Sequence, residues 1–497
     1  MTNDRLKWIC VAALAGALAA GCGDDDGEVM PGTDLGPRMD MGSPVDLGPT
    51  DMGVRVDLGP VDLGPPVDLG PAPDLGTDVD AGADVDGGPV ISCPDVAART
   101  PIDIGGDITG QVWTCDNLYR LTATTFVTSG TLVIEPGTIV VGTTGNAALV
   151  ITKFATIDAQ GTAAFPIRFS SAKEYDADVG TVPAAGDWGG LVLLGTARLN
   201  VTGGTTTIEG LPPTDTGGSY GGTDDAHNCG TVRYVTIRYA GFLFGAANEL
   251  NSLSVGACGS ATTLDYIELR DGLDDGVEFF GGSANISHAL ILNTGDDSLD
   301  YDLGYTGKVQ FFLAEQRGAG GEDRGIEGDN NGDSMDATPR SAPEIWNATF
   351  IGIGHTTGTG QDATLLREGT AIRLHNSIFM EFPDKGIRIQ HAPTDAQIVA
   401  GALNVQNSIL FNMGAAGTAT FECDSGSTAC ASLIGEATNR TSDPGVAAGD
   451  WQPASTDAAA TGGGTPPLGG FFDASATYVG AVAPTGTPWY AGWRTAD

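Results

Sequence analysis

Basic residues are scarce in this chain: 23 Lys and Arg stand against 63 Asp and Glu, a formal net charge of -40 over 497 residues. Such a surface repels phosphate backbones and anionic headgroups, which excludes nucleic-acid binding. It meets anionic polysaccharides only where divalent cations bridge the two. No CxxC pair and no Cys/His cluster occurs, so a zinc site has no ligand set. His227, His288, His355, His375 and His391 are scattered, none beside a carboxylate at a spacing that suggests a triad. Hardly any stretch beyond Cys93 shows helical periodicity. The apolar run Trp8 to Ala20 is too short for a comfortable membrane span.

That run follows Arg5 and Lys7 and so reads as a signal peptide, residues 1–21. Its ending, Leu18-Ala19-Ala20-Gly21-Cys22, resembles the bacterial lipoprotein cleavage box, with Ala19 where Leu is common and Leu18 one place earlier. The resemblance implies that Cys22 becomes a lipidated N-terminus and that the protein is held by lipid to the outer membrane of a Gram-negative-type bacterium, on its periplasmic or cell-surface side. Residues 22–92 are dominated by units such as "VDLGPVDLGPPVDLG". Pro and Gly block regular structure there and the repeated Asp residues repel one another, so a disordered, extended tether is expected. Cys93, Cys115, Cys229, Cys258, Cys423 and Cys430 remain in the following domain, residues 93–497. An even number in an exported chain implies disulfides; nearest neighbours pair as 93–115, 229–258 and 423–430, one of about fifteen formal connectivities.

The domain alternates apolar and polar positions over short runs such as "TLVIEPGTIVVG", "ALVITKFATIDAQG" and "GLVLLGTARLN", which predicts an all-β fold. A repeat emerges when "RYVTIRY", "DYIELRD", "SHALILN", "KVQFFLA", "WNATFIG", "HNSIFME" and "QNSILFN" are aligned on Tyr234, Tyr266, His288, Gln310, Asn347, Asn376 and Asn407. Recurrence every ~22 to 37 residues is the period of one coil in a stacked architecture, and it predicts a parallel β-helix whose asparagines bond one another along the axis.

The long run from "TLVIEPGTIVVG" through "GDWGGLVLLGTARLN", "YGGTDDAHNCGTVRYVTIRYAG" and "DYIELRDGLDDGVEFFGG" to "YVGAVAPTGTPWYAGW" resembles a family of large secreted or lipid-anchored bacterial proteins with a pectin-lyase-like right-handed β-helix. The resemblance covers nearly everything after residue 105. It implies fold and surface location but no particular reaction.

Carboxylates dominate the candidate chemistry. "RDGLDDGVEFFGG" and "NTGDDSLDYD" place Asp274 and Asp275 about one coil before Asp296 and Asp297, with Asp300 and Asp302 close behind. "NTGDDS" resembles the Gly-Asp-Asp element of pectin-degrading hydrolases of this general fold, which implies that Asp275, Asp296 and Asp297 serve as acid and base. An inverting pair stands ~6.5–9.5 Å apart. Against that, the later coils show "IGIGHTTG" and "GIRIQ", with Gln390 where those enzymes carry Lys. A lyase would instead need a strong base, for which Arg270, Lys308 and Arg324 are the nearby candidates. "EGDNNGDSMD" offers Asp329, Asn331, Asp333 and Asp336 at a spacing like the first half of a calcium loop, without its Gly after the third ligand or its closing Glu. Trp188, Trp489 and Trp493 read as core or end-cap packing, with sugar stacking as the alternative. The expectation is therefore a non-catalytic β-helix scaffold or binding module for a glycan or cell-envelope component, with calcium as its cofactor. The competing reading is a polysaccharide hydrolase or lyase built on the four aspartates.

Overall fold

The computed structural model describes residues 91–494, apart from 177–178, 212–215, 246–247, 319–322, 359 and 424–426. The expected leader, Cys22 and the expected tether up to residue 90 lie outside the described residues. Among the described residues, 25 strands join one continuous parallel ladder, and only two short hairpins are antiparallel. Each strand pairs with the strand one coil later rather than with its sequence neighbour, so the chain winds as a parallel β-helix. Parallel crossovers of this kind wind right-handed.

One side of the helix stacks Leu253–Gly256, Val277–Phe280, Leu299–Asp302, Ile326–Gly328, Thr364–Leu366, Ile387–Ile389 and Phe421–Cys423 in register. Side chains alternate along each strand. Leu253, Val277, Leu299, Ile326 and Ile387 therefore form an inward column beside a second one of Val255, Phe279, Tyr301, Leu366 and Ile389, all buried in one core. The residues between them point outward: Ser254, Glu278, Asp300, Glu327, Leu365, Arg388 and Glu422. Register alone thus lines up carboxylates from successive coils.

The rest of each coil is a longer strand bent in the middle, as in Gly230–Arg238, Thr263–Arg270, Asn285–Leu292, Lys308–Glu315 and Glu344–Ile351. The bend falls on a residue with positive φ: Tyr234, Tyr266, His288, Phe311, Asn347, Asn376 and Asn407. An L-residue pays about 1–2 kcal/mol to adopt that conformation, least for Asn. Stacking offsets part of the cost, with ring centroids 4.4 Å apart for Tyr234–Tyr266, 4.3 Å for Tyr266–His288 and 4.8 Å for His288–Phe311. The structure shifts the expected repeat by one residue at the fourth coil, where Phe311 and not Gln310 makes the bend.

The asparagines do not simply bond one another. The chain beyond residue 460 returns along the bends, and Asn376 Nδ2 donates to the Gly464 carbonyl at 2.9 Å while its Oδ1 accepts from the Gly464 amide at 2.7 Å. Asn347 donates to the carbonyls of Ala476 and Tyr478 at 3.1 and 2.8 Å. Of the expected axial bonds, Gln310 to Asn347 at 3.1 Å is made. This returning segment is a strap, and Trp489 and Trp493 belong to it: they stand edge-on to the Tyr234–His288 stack, on the flank of the helix and not over its end. Trp188 is fully buried in the core, its indole bonded to the Arg238 carbonyl. The short helix Cys430–Ile434 closes the last coil, with Cys430 and Leu433 in the core.

All three nearest-neighbour disulfides are present: Cys93–Cys115, Cys229–Cys258 and Cys423–Cys430.

Candidate cation site on the acidic side

The turn before each strand of the first side supplies the Asp pairs. Gly295 lets "TGDD" lie on the coil below, since a Cβ there would come within 1.9 Å of the Leu273 carbonyl oxygen. Asp275 then stacks on Asp297, and its Oδ1 accepts the Asp297 amide at 2.9 Å. Asp297 Oδ1 accepts the Arg324 amide at 2.7 Å, and Asp362 Oδ1 accepts the Lys385 amide at 3.0 Å further along. These inner aspartates serve the backbone of the next coil. Asp274 and Asp296 flank them on the more open side.

The structure brings all four predicted aspartates together and adds neighbours. Carboxylate oxygens lie within 4.8 Å of one another in three overlapping groups: Asp274, Asp275 and Asp296; Asp275, Glu278 and Asp300; and Asp296, Asp297 and Asp323. Like charges at that separation repel by about 3–4 kcal/mol per pair at an effective dielectric of 20. Burial compounds the repulsion. It raises Asp275, Glu278, Asp297, Asp300 and Asp302 well above the usual carboxylate range, with repulsion from their acidic neighbours adding to it. Asp274 is pushed up to about 8 and Asp296 to about 6, by burial first and then by the charges around them.

Among the described residues, the cations paired beside this cluster gather around Glu327. Arg324 pairs with Asp323 and Glu327 at 2.5 Å and lies 3.7 Å from Asp297, while Arg367 holds Asp329 at 3.0 Å and also binds Glu327. Several nearby acceptors lack donors. Asn251, 1% exposed, gives its amide N–H to Glu278 at 2.6 Å, but its Oδ1 has no donor, and neither do Asp300 Oδ1 and Asp302 Oδ1. Buried oxygens without donors beside crowded carboxylates suit a hard divalent cation.

The loop Asp329–Asp336 does not converge. Asp329 faces Arg367, Asn331 bonds the Asn200 side chain at 3.0 Å, and Asp336 pairs with Arg340 at 2.7 Å, while Asp333 is exposed. Three of the four have been drawn to different neighbours, two of them to arginines. The candidate lyase bases are equally dispersed. Arg324 is a counter-ion inside the acidic side, Arg270 lies between Glu268 and Asp271, and Lys308 sits over the Phe472 ring on another flank.

Sequence reading missed Glu278, Asp323 and Asn251. The available signal was register: "VEFF" and "LDYD" put an acid at the same strand position. The coil period also makes His–carboxylate contacts that linear proximity hides. His288 meets Asp265 at 2.8 Å and His355 meets Glu381 at 2.6 Å, across 23 and 26 residues.

A disulfide-tied parallel β-helix with an acidic side defines a solenoid class of protein. A family model described as a pectate-lyase-like beta helix domain matches residues 106–456, and the chain belongs to that family. No curated protein and no solved structure matches it.

Proposed function

We propose that this is a lipid-anchored envelope protein whose β-helix is a non-catalytic binding module, with calcium held on the acidic side. What carries the reading is the pairing of carboxylate groups within 4.8 Å with the donorless oxygens of Asp300 and of Asn251, which bonds Glu278. Asp274, Asp275, Asp296, Glu278 and Asp300 are the residues that would hold the ion. A bound cation would relieve their repulsion and give an acidic glycan or envelope component a bridge to an otherwise repellent surface.

The same geometry argues against inverting hydrolysis. Inverting chemistry leaves room for water between carboxyls ~6.5–9.5 Å apart, whereas these approach within 4.8 Å. Asp275 and Asp297 are also committed to backbone amides. Titration calorimetry of the full chain with calcium tests the reading. Saturable binding that is lost in Asp275→Asn and Asp296→Asn, and retained in Asp333→Ala, is expected. A panel of neutral and acidic glycans, assayed for reducing ends and unsaturated products, should show no cleavage. Cleavage abolished by Asp296→Asn would make the protein a polysaccharide-degrading enzyme instead.

A further inference from the structure

A second concavity lies away from the acidic side. Where the bent strands end, Gln316, Gly352, Glu381 and Asn412 stack in successive coils, each continuing the register of Glu315, Ile351, Met380 and Phe411. The loop 443–448 rises beside this column and leaves a groove of about 690 Å³. That is within the ~300–1,000 Å³ range of small-molecule sites.

Its hydrogen-bonding inventory is one-sided. Arg317 Nε is spent on Glu315 at 2.7 Å, Asn412 Nδ2 on Glu381 at 2.6 Å, His355 Nδ1 on Glu381 at 2.6 Å, and Gln316 Nε2 on the Arg324 carbonyl at 3.0 Å. Acceptors remain: Gln316, 4% exposed, lines the groove and has an Oε1 without a donor, and Asp443 lines it as well. Burial alone would raise Glu381, but the bonds from His355 and Asn412 hold it below the ordinary carboxylate value, so it is anionic at neutral pH. Phe411 and Val446 supply apolar surface beside these groups. Glu315 neutralises the Arg317 guanidinium that also lines the groove, at 2.7 Å, so a ligand that fits must bring donors, carry no negative charge and present an apolar face. A pyranose ring has hydroxyl donors on its rim and C–H groups on its faces.

We propose that this groove is a saccharide subsite for a neutral or amino-bearing sugar residue. The proposal rests on the binding-module reading and is independent of the cation site. Calorimetry on the full chain in EDTA, with maltotetraose, chitosan tetraose and tetragalacturonate as probes, separates the two. Saturable binding of the neutral or the cationic oligosaccharide is expected, with none of the uronate, and the stronger of the two identifies the sugar class. Ala447→Trp, at an exposed rim position, should weaken binding at least tenfold with unchanged thermal unfolding. Glu381→Gln should weaken the cationic probe more than the neutral one. Absence of binding at millimolar probe, binding of the uronate in EDTA, or indifference to both variants would overturn the subsite. Cleavage of a bound probe would refute the non-catalytic reading and leave the subsite standing.

Discussion

Removing a carboxylate from the acidic side should stabilise the metal-free protein. Asp274 is the informative position because it is only partly buried and is pushed up to about 8, by burial first and then by Asp296, Glu209 and Glu249. In the unfolded chain the same carboxyl ionises near 3.9. A folded-state value above the unfolded one means that its contribution to stability is fully present below about pH 4 and is lost as pH rises through the folded value. Between pH 5 and 8 the unfolded form has released its proton and the folded form has not, so each pH unit subtracts about 1.4 kcal/mol. Three units give ~4 kcal/mol, which solvent screening of a partly exposed group reduces to about 2 kcal/mol. Asp329, pushed up to about 7 by burial, and Asp296, at about 6, act in the same direction.

The assay is denaturant unfolding in chelator at pH 5, 6, 7 and 8. The parent should lose stability steadily across that range. Asp274→Asn should gain on it by about 2 kcal/mol between pH 5 and pH 8. Calcium should reverse the order: a ligand at a hundred times its dissociation constant adds about 2.7 kcal/mol to the parent, and the variant lacks one of its ligands. A parent protein that grows more stable from pH 5 to pH 8 without calcium would refute the reasoning.

Most of the fold was legible because a coil repeats its own physics. The bends recur on Tyr, His and Asn, the strands alternate, and the six cysteines pair within a coil or between adjacent coils, where sequence neighbours are also spatial neighbours. Less legible was anything set by where the chain goes after leaving the repeat. The strap satisfies Asn347 and Asn376 from over 80 residues away, so a ladder that looked self-sufficient turned out to be a docking edge. The acidic side was half visible: "GLDDG" and "TGDDS" announced the turn aspartates, but Glu278 joins them only through strand register, and Asn251 only because it precedes Asp275 by one coil. The Asp329–Asp336 loop misled because spacing takes no account of the arginines that draw its carboxylates apart.

Changing Cys22 to Ser should shift the protein from the membrane fraction to the soluble one; retention after a salt wash would mean that lipid is not the anchor. Mass mapping under non-reducing conditions should recover all three bridges, and free Cys229 or Cys258 would contradict the proposal that the domain is exported and oxidised. The last expectation concerns the strap. Asn376 is fully buried, and its amide both donates to the Gly464 carbonyl and accepts from the Gly464 amide. Its φ of 50° is one that Gly adopts without strain, so Asn376→Gly removes these hydrogen bonds while sparing the bend. With a third, longer bond from Asn376 Nδ2 to the Ala476 carbonyl at 3.3 Å, the loss costs about 2–3 kcal/mol. That loss falls on the strap and not on the coils, whose ladder is backbone to backbone. Hydrogen exchange at the Gly464 amide should therefore accelerate by about 30- to 150-fold while the amides of Val277–Phe280 stay protected. Equal acceleration at both places would mean that strap and helix open together, and no acceleration at Gly464 would mean that the asparagine is not what holds the strap down.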